Sequence, residues 1–268
     1  MYLILAIFAA TLQNIVNQPR RGHWNGFLTV KATIEKRIQA PMRYRVLIPW
    51  LMKRSPASLT MYEFWRVILL WVALLCVASY WGGVVAVIWL VFVMSAQIFD
   101  TWCYTSETIG ITLALMGNPI GAALGIFVHG LSRETVLING FVYWLATGDV
   151  AGGLALSALA FAVFYGVRWY QGHADLYCDR FRILDNIHYL LLKKSTRAKE
   201  ADTLLFYAPY LHVILIALSL YGAYLTGRIG FVVPVMVLAS VTMGKMNEYR
   251  LSLAVAVWAA YAIAERIA

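Results

Sequence analysis

Nine apolar stretches, separated by polar breaks, account for most of this chain: 1–17, 61–81, 84–99, 108–128, 136–146, 151–167, 204–225, 229–243 and 251–264. A helix needs about 20 residues to cross a bilayer, and fewer where it tilts or the membrane is thin, so even the shorter stretches qualify. The pattern predicts an all-α fold, a polytopic integral membrane bundle of about eight or nine membrane segments, some of them short, broken or re-entrant. It is read as one integral domain over 1–268, with polar loops at 18–58 and 168–203. Residues 1–17 have no basic stretch before them and no small-residue cleavage site after them, so they read as a retained first helix.

The breaks carry their own signals. Gly82-Gly83 reads as a tight hairpin between two spans. Gly117-Asn118-Pro119 falls in the middle of 108–128 and predicts a kinked or broken helix, because proline frees carbonyls of the preceding turn. Gly117, Gly121 and Gly125 recur every four residues, a ridge along which another helix can approach closely. Asp100 and Glu107 bracket a stretch in which Trp102 and Tyr104 read as interface anchors. Gly148-Asp149 is a turn, and 246–250 is a polar run between the last two stretches.

Composition agrees with the pattern. Of 268 residues, 62% are hydrophobic and 13% charged, against about 25% charged in an average soluble domain. The net charge of +9 is unevenly spread. Nine basic residues (Arg20, Arg21, Lys31, Lys36, Arg37, Arg43, Arg45, Lys53 and Arg54) fall in the first polar loop, where Glu35 is the one acid. These charges sit beside hydrophobic spans and not on a surface that tracks phosphates, so the expected partners are membrane lipids and a lipid-phosphate-linked substrate, not nucleic acid. The positive-inside rule puts both polar loops in the cytoplasm. Crossings then balance only if the pieces around Pro119 and Arg133 form one re-entrant or broken unit, which is allowed where it is buried in protein or lines a cavity.

The candidate chemistry centres on 129–135, His-Gly-Leu-Ser-Arg-Glu-Thr, a polar patch between apolar stretches. A charge at the bilayer centre costs roughly 2.5–3.5 kcal/mol, so such residues face a protein interior and mark function. Arg133 and Glu134 are sequence neighbours and point apart on a helix, so each needs a partner elsewhere; Asp100, Glu107, Glu248 and Arg250 are the available charges. His129 lies four residues before Arg133, on the same face of a continuous helix, and is either a proton carrier or a structural histidine. His173, Asp175, Cys178, Asp179, Asp185 and His188 have metal-ligand side chains, but their spacing matches no defined site and reads as a solvated loop. Cys76, Cys103 and Cys178 are too few and too scattered for a disulfide framework or a zinc site. No phosphate-binding loop, dinucleotide fingerprint, nucleophile elbow or zinc-protease motif occurs.

Three pieces in order carry a resemblance: Arg43-Tyr44-Arg45-Val46-Leu47-Ile48-Pro49-Trp50, Ser132-Arg133-Glu134-Thr135-Val136-Leu137 and Asn247-Glu248-Tyr249-Arg250-Leu251. This order resembles uncharacterised bacterial polytopic membrane proteins that look like GT-C glycosyltransferases, which take a sugar from a polyprenyl-phosphate carrier. The resemblance implies a bacterial inner-membrane transferase whose first large loop faces outward and carries an acid. The implied catalytic residues are Glu35, Asp100 and Glu134; Arg43, Arg45, His129, Arg133, Glu248 and Arg250 would bind substrate or phosphate. A divalent metal is compatible with this scheme and not required by it. Two other readings are a transporter or flippase for a lipid or anionic solute, and an accessory subunit of a membrane complex; each is compatible with a homo-oligomer or a larger assembly.

Overall fold

The computed structural model describes residues 1–17, 22–35, 46–53, 58–95, 101–172, 209–243 and 255–267. These are helical, with no strand among the described residues. Two helices, α4 (Leu59–Trp81) and α9 (Val150–Gln171), are long and apolar enough to cross a membrane; shorter apolar helices accompany them. Of the eight or nine membrane segments expected, these two have full crossing length among the described residues.

Contacts cluster in two compact units. The first spans 1–80 and 98–178. It contains α1 (Tyr2–Asn17), α2 (Gly22–Ile34), α3 (Leu47–Met52), nearly all of α4, then α6 (Thr101–Leu115), α7 (Pro119–Gly130), a 3-10 helix (Glu134–Ile138), α8 (Asn139–Thr147) and α9. Helices α2 and α3 lie inside the stretch that the sequence presents as one polar loop.

Helix α6 is the centre of this unit, buried from Trp102 to Thr112 and packed on α7 and α8. Three of its hydroxyls are satisfied within the helix: Thr105, Ser106 and Thr108 donate to the carbonyls of Trp102, Cys103 and Tyr104. Trp102 and Tyr104, which the sequence suggests as interface anchors, are core residues instead, on a helix that packs against α7, α8 and the 3-10 helix.

The break at 116–118 is real and built by its own residues. Gly117 takes φ +72°, a left-handed value that suits glycine. Asn118 caps α7 by accepting from the amides of Ile120 and Gly121, and Pro119 occupies the first helical position. Close approach of α6 and α7 is set by Gly125 of the expected ridge together with Gly110, which the ridge did not include: a Cβ on Gly125 would lie 3.1 Å from the Gly110 Cα. In α9, Gly153, Leu156, Ala160, Val163, Val167 and Gln171 recur every three or four residues as the buried face. The opposite face is also apolar, with Val150, Leu154, Phe161, Tyr165 and Trp169 exposed.

The second unit spans 81–97 and 179–268. Its helices are α5 (Gly83–Ser95), α10 (Pro209–Leu225), α11 (Val232–Met243) and α12 (Ala256–Ile267), with a 3-10 helix (Gly227–Phe231) before α11. Helices α10 and α12 meet backbone to backbone at Gly222, where a Cβ would fall 2.0 Å from the Trp258 carbonyl oxygen. Trp81 packs edge-on against Trp258 at 5.4 Å between ring centres.

A buried charged centre around Arg133

Helix α7 ends at Gly130, and the chain turns before it can present Arg133 on the same helical face as His129. The His129 carbonyl accepts the amides of both Ser132 and Arg133, which closes this turn. Arg133 has extended backbone, and Glu134 opens the 3-10 helix. The turn aims Arg133 back at α6, where its Nη1 lies 3.1 Å from Glu107 Oε2. Its guanidinium also stands 4.2 Å from the centre of the Tyr104 ring, a cation–π contact. The side chains are 9% and 1% exposed for Arg133 and Glu107, so the pair is shielded from water.

The other oxygen of Glu107 begins a row of hydrogen bonds. Thr135 Oγ1 donates to Glu107 Oε1. His129 Nε2 lies 2.9 Å from the same Thr135 oxygen and 3.7 Å from Glu107 Oε1. The other ring nitrogen, Nδ1, is 2.9 Å from Asn139 Oδ1. Space for this row comes from Gly110: a Cβ there would lie 2.6 Å from the His129 Cβ. Four elements therefore converge, α6 with Glu107 and Tyr104, α7 with His129, the turn and 3-10 helix with Arg133 and Thr135, and α8 with Asn139.

Backbone contacts fasten part of the first motif piece to the residue just before the second. The amides of Val46 and Leu47, at the start of α3, donate to the Leu131 carbonyl at 2.6 and 2.8 Å. The Val46–Trp50 part of the first piece is thus fastened beside the Arg133 turn, with Leu47 and Ile48 buried.

Of the residues singled out in the sequence, His129 and Arg133 belong to the row. Glu134 is beside it and half-buried; its Oε1 is shielded and has no hydrogen-bond partner among the described residues. Glu35 is exposed just past the end of α2, and the row does not include it. Asp100, Arg43, Arg45, Glu248 and Arg250 lie outside the described residues. The sequence offers Glu107 among the possible partners of Arg133, but it suggests Tyr104 only as an interface anchor and gives no role to Gly110, Thr135 or Asn139. Thr135 stood within the motif, and that was its one signal. Among the described residues no three His, Cys, Asp or Glu side chains gather as metal ligands.

No family model, no curated protein and no solved structure matches this chain.

Proposed function

We propose that this chain is a multi-pass membrane protein that transfers a sugar from a polyprenyl-phosphate carrier, with the buried centre around Arg133 as its working site. In this reading the protein is a single integral domain of the bacterial inner membrane with eight or nine membrane segments. The exposed apolar face of α9, from Val150 to Trp169, then lies against lipid.

The observation that carries the chemistry is Glu134. It follows Arg133 directly, and one of its carboxylate oxygens is buried without a hydrogen-bond partner among the described residues. A carboxylate kept available beside a cation suits removal of a proton from an acceptor hydroxyl while the cation steadies the departing phosphate. A positioned base contributes about 10²–10⁴-fold, and fixed charge on the leaving group supplies more. Arg133 is held by Glu107 and Tyr104, so its direction is set before a phosphate arrives; in this reading Arg43 and Arg45 would complete the grip. Glu134 is favoured over Glu35 as the base, since Glu35 is exposed.

The test is transfer in proteoliposomes from a polyprenyl-phosphate donor bearing a radiolabelled sugar to a hydroxyl acceptor. Wild-type protein is expected to transfer label, and Glu134→Gln to slow transfer on the order of a hundredfold while the protein stays folded. Absence of both donor binding and turnover removes the proposal.

A carrier for a lipid or anionic solute is the second reading, favoured by the broken α6–α7 unit next to buried charges, an arrangement that alternating-access carriers use. Movement of unaltered donor across the bilayer, without sugar release, would select it.

A further inference from the structure

We propose that Thr135 passes a proton between His129 and Glu107, and that Asn139 decides which imidazole nitrogen takes part. This goes beyond sugar transfer and does not depend on it.

Donor counts come first. A threonine hydroxyl has one proton, and Thr135 gives it to Glu107 Oε1. His129 Nε2, 2.9 Å from the Thr135 oxygen, is therefore the donor in their contact. On the far side of the ring, Nδ1 faces Asn139 Oδ1 at 2.9 Å, and a carbonyl oxygen only accepts, so Nδ1 carries hydrogen as well. The proposed starting state therefore has hydrogen on both ring nitrogens of His129, with Glu107 as the acceptor at the end of the row. The direct gap from Nε2 to Glu107 Oε1 is 3.7 Å, too long for a hydrogen bond, so the hydroxyl is the necessary intermediary.

Transfer then needs no side chain to move. The Nε2–H bond breaks as its proton joins Thr135 Oγ1, and the original Thr135 O–H bond breaks as its proton joins Glu107 Oε1. One positive and one negative group become two neutral ones. Thr135 is again a hydroxyl, now donating to Nε2, and the ring keeps its remaining hydrogen on Nδ1. Asn139 Oδ1 is satisfied in both states, which is why it fixes Nε2 as the exchanging nitrogen.

The charged surroundings set the balance. Arg133, 3.1 Å from Glu107 Oε2, favours the ionised pair, and an anion that draws Arg133 away favours the neutral one. Glu134 adds a negative group on the 3-10 helix. Helix α9, which also packs on α7, has only Arg168 within it and Asp149 at its cap, while α8 has no charged residue.

The experiment is nuclear magnetic resonance of the full chain in lipid nanodiscs with ¹⁵N-labelled histidine, the His129 signals being those lost in His129→Gln. In wild-type protein the neutral ring is expected to hold its proton on Nδ1. Asn139→Leu is expected to move the tautomer ratio toward Nε2–H by about fivefold or more, the worth of one net hydrogen bond. Thr135→Val is expected to slow gain and loss of the Nε2 proton on the order of a hundredfold, while Thr135→Ser stays close to wild type. A network that only holds the fold predicts the opposite for Thr135→Val, faster exchange through local opening. A neutral wild-type ring protonated on Nε2, or exchange in Thr135→Val at least as fast as in wild type, overturns the proposal. If Thr135→Val does not fold, the tautomers of wild type and Asn139→Leu still decide the matter.

Discussion

At the scale of single residues, the Arg133–Glu107 pair is costly to bury and sensitive to change. Burying an ion requires a partner in good geometry; removing one member of a buried pair leaves the other charged in a low-dielectric surrounding. Arg133→Ala is therefore expected to destabilise the protein by about 3–5 kcal/mol, read as a lower unfolding temperature in detergent. The double variant Arg133→Met with Glu107→Gln removes both charges and keeps an acceptor for Thr135. It is expected to unfold at a higher temperature than Arg133→Ala alone; a lower one would mean that the pair does more than neutralise itself. That Arg133 needed a remote partner was legible, since neighbouring residues on a helix point apart. Which of Asp100, Glu107 and Glu248 supplied it was not, because that depends on where the chain turns after Gly130.

At the scale of elements, the α6–α7 hairpin decides whether the centre exists. Its two helices approach at Gly110 and Gly125, and the Cβ of His129 stands against Gly110. Gly110→Ala places a methyl group against the His129 Cβ and the Gly125 carbonyl, neither of which can swing away. The expected cost is about 1–3 kcal/mol, with loss of the His129–Asn139 hydrogen bond visible in the ¹⁵N spectrum. Retention of both stability and that bond would show that the helices can separate freely. The cap at Asn118 is a separate contribution: Asn118→Ala removes the acceptor of two amides and is expected to lower stability by about 1 kcal/mol, checked by thermal unfolding. The helix break itself was readable from Gly117-Asn118-Pro119, whose local preferences all point the same way. The role of Gly110 was not, since one glycine in an apolar run has no distinguishing neighbour in sequence.

At the scale of the whole molecule, the question is what the outer faces meet. Helix α9 has a regular buried face and an opposite face that is apolar up to Trp169, which is 87% exposed. If that face meets hydrocarbon, Leu154→Arg is expected to reduce membrane integration by the equivalent of roughly 2.5–3.5 kcal/mol. Glycosylation mapping of inserted and non-inserted chains measures this directly. Unchanged integration would mean that Leu154 faces water or another protein. The second unit relies on the same close backbone contacts, at Gly222 against Trp258 and at Gly230 against Ala223. There too, small residues let helices touch where side chains would hold them apart.

The sequence by itself determined that the chain is helical, where several helices start and stop, and that Arg133 could not stand alone. Those properties follow from local hydrophobicity, glycine and proline preferences and the price of a buried charge, all of which act over a few residues. Only the tertiary structure decided that Glu107 is the partner, that Thr135 and Asn139 line up on either side of His129, and that Gly110 makes room for them. Each of those choices depends on the angle at which the chain leaves α7 and on how closely α6 and α8 pack beside it. Contacts between residues far apart in sequence set both, and no short stretch records them.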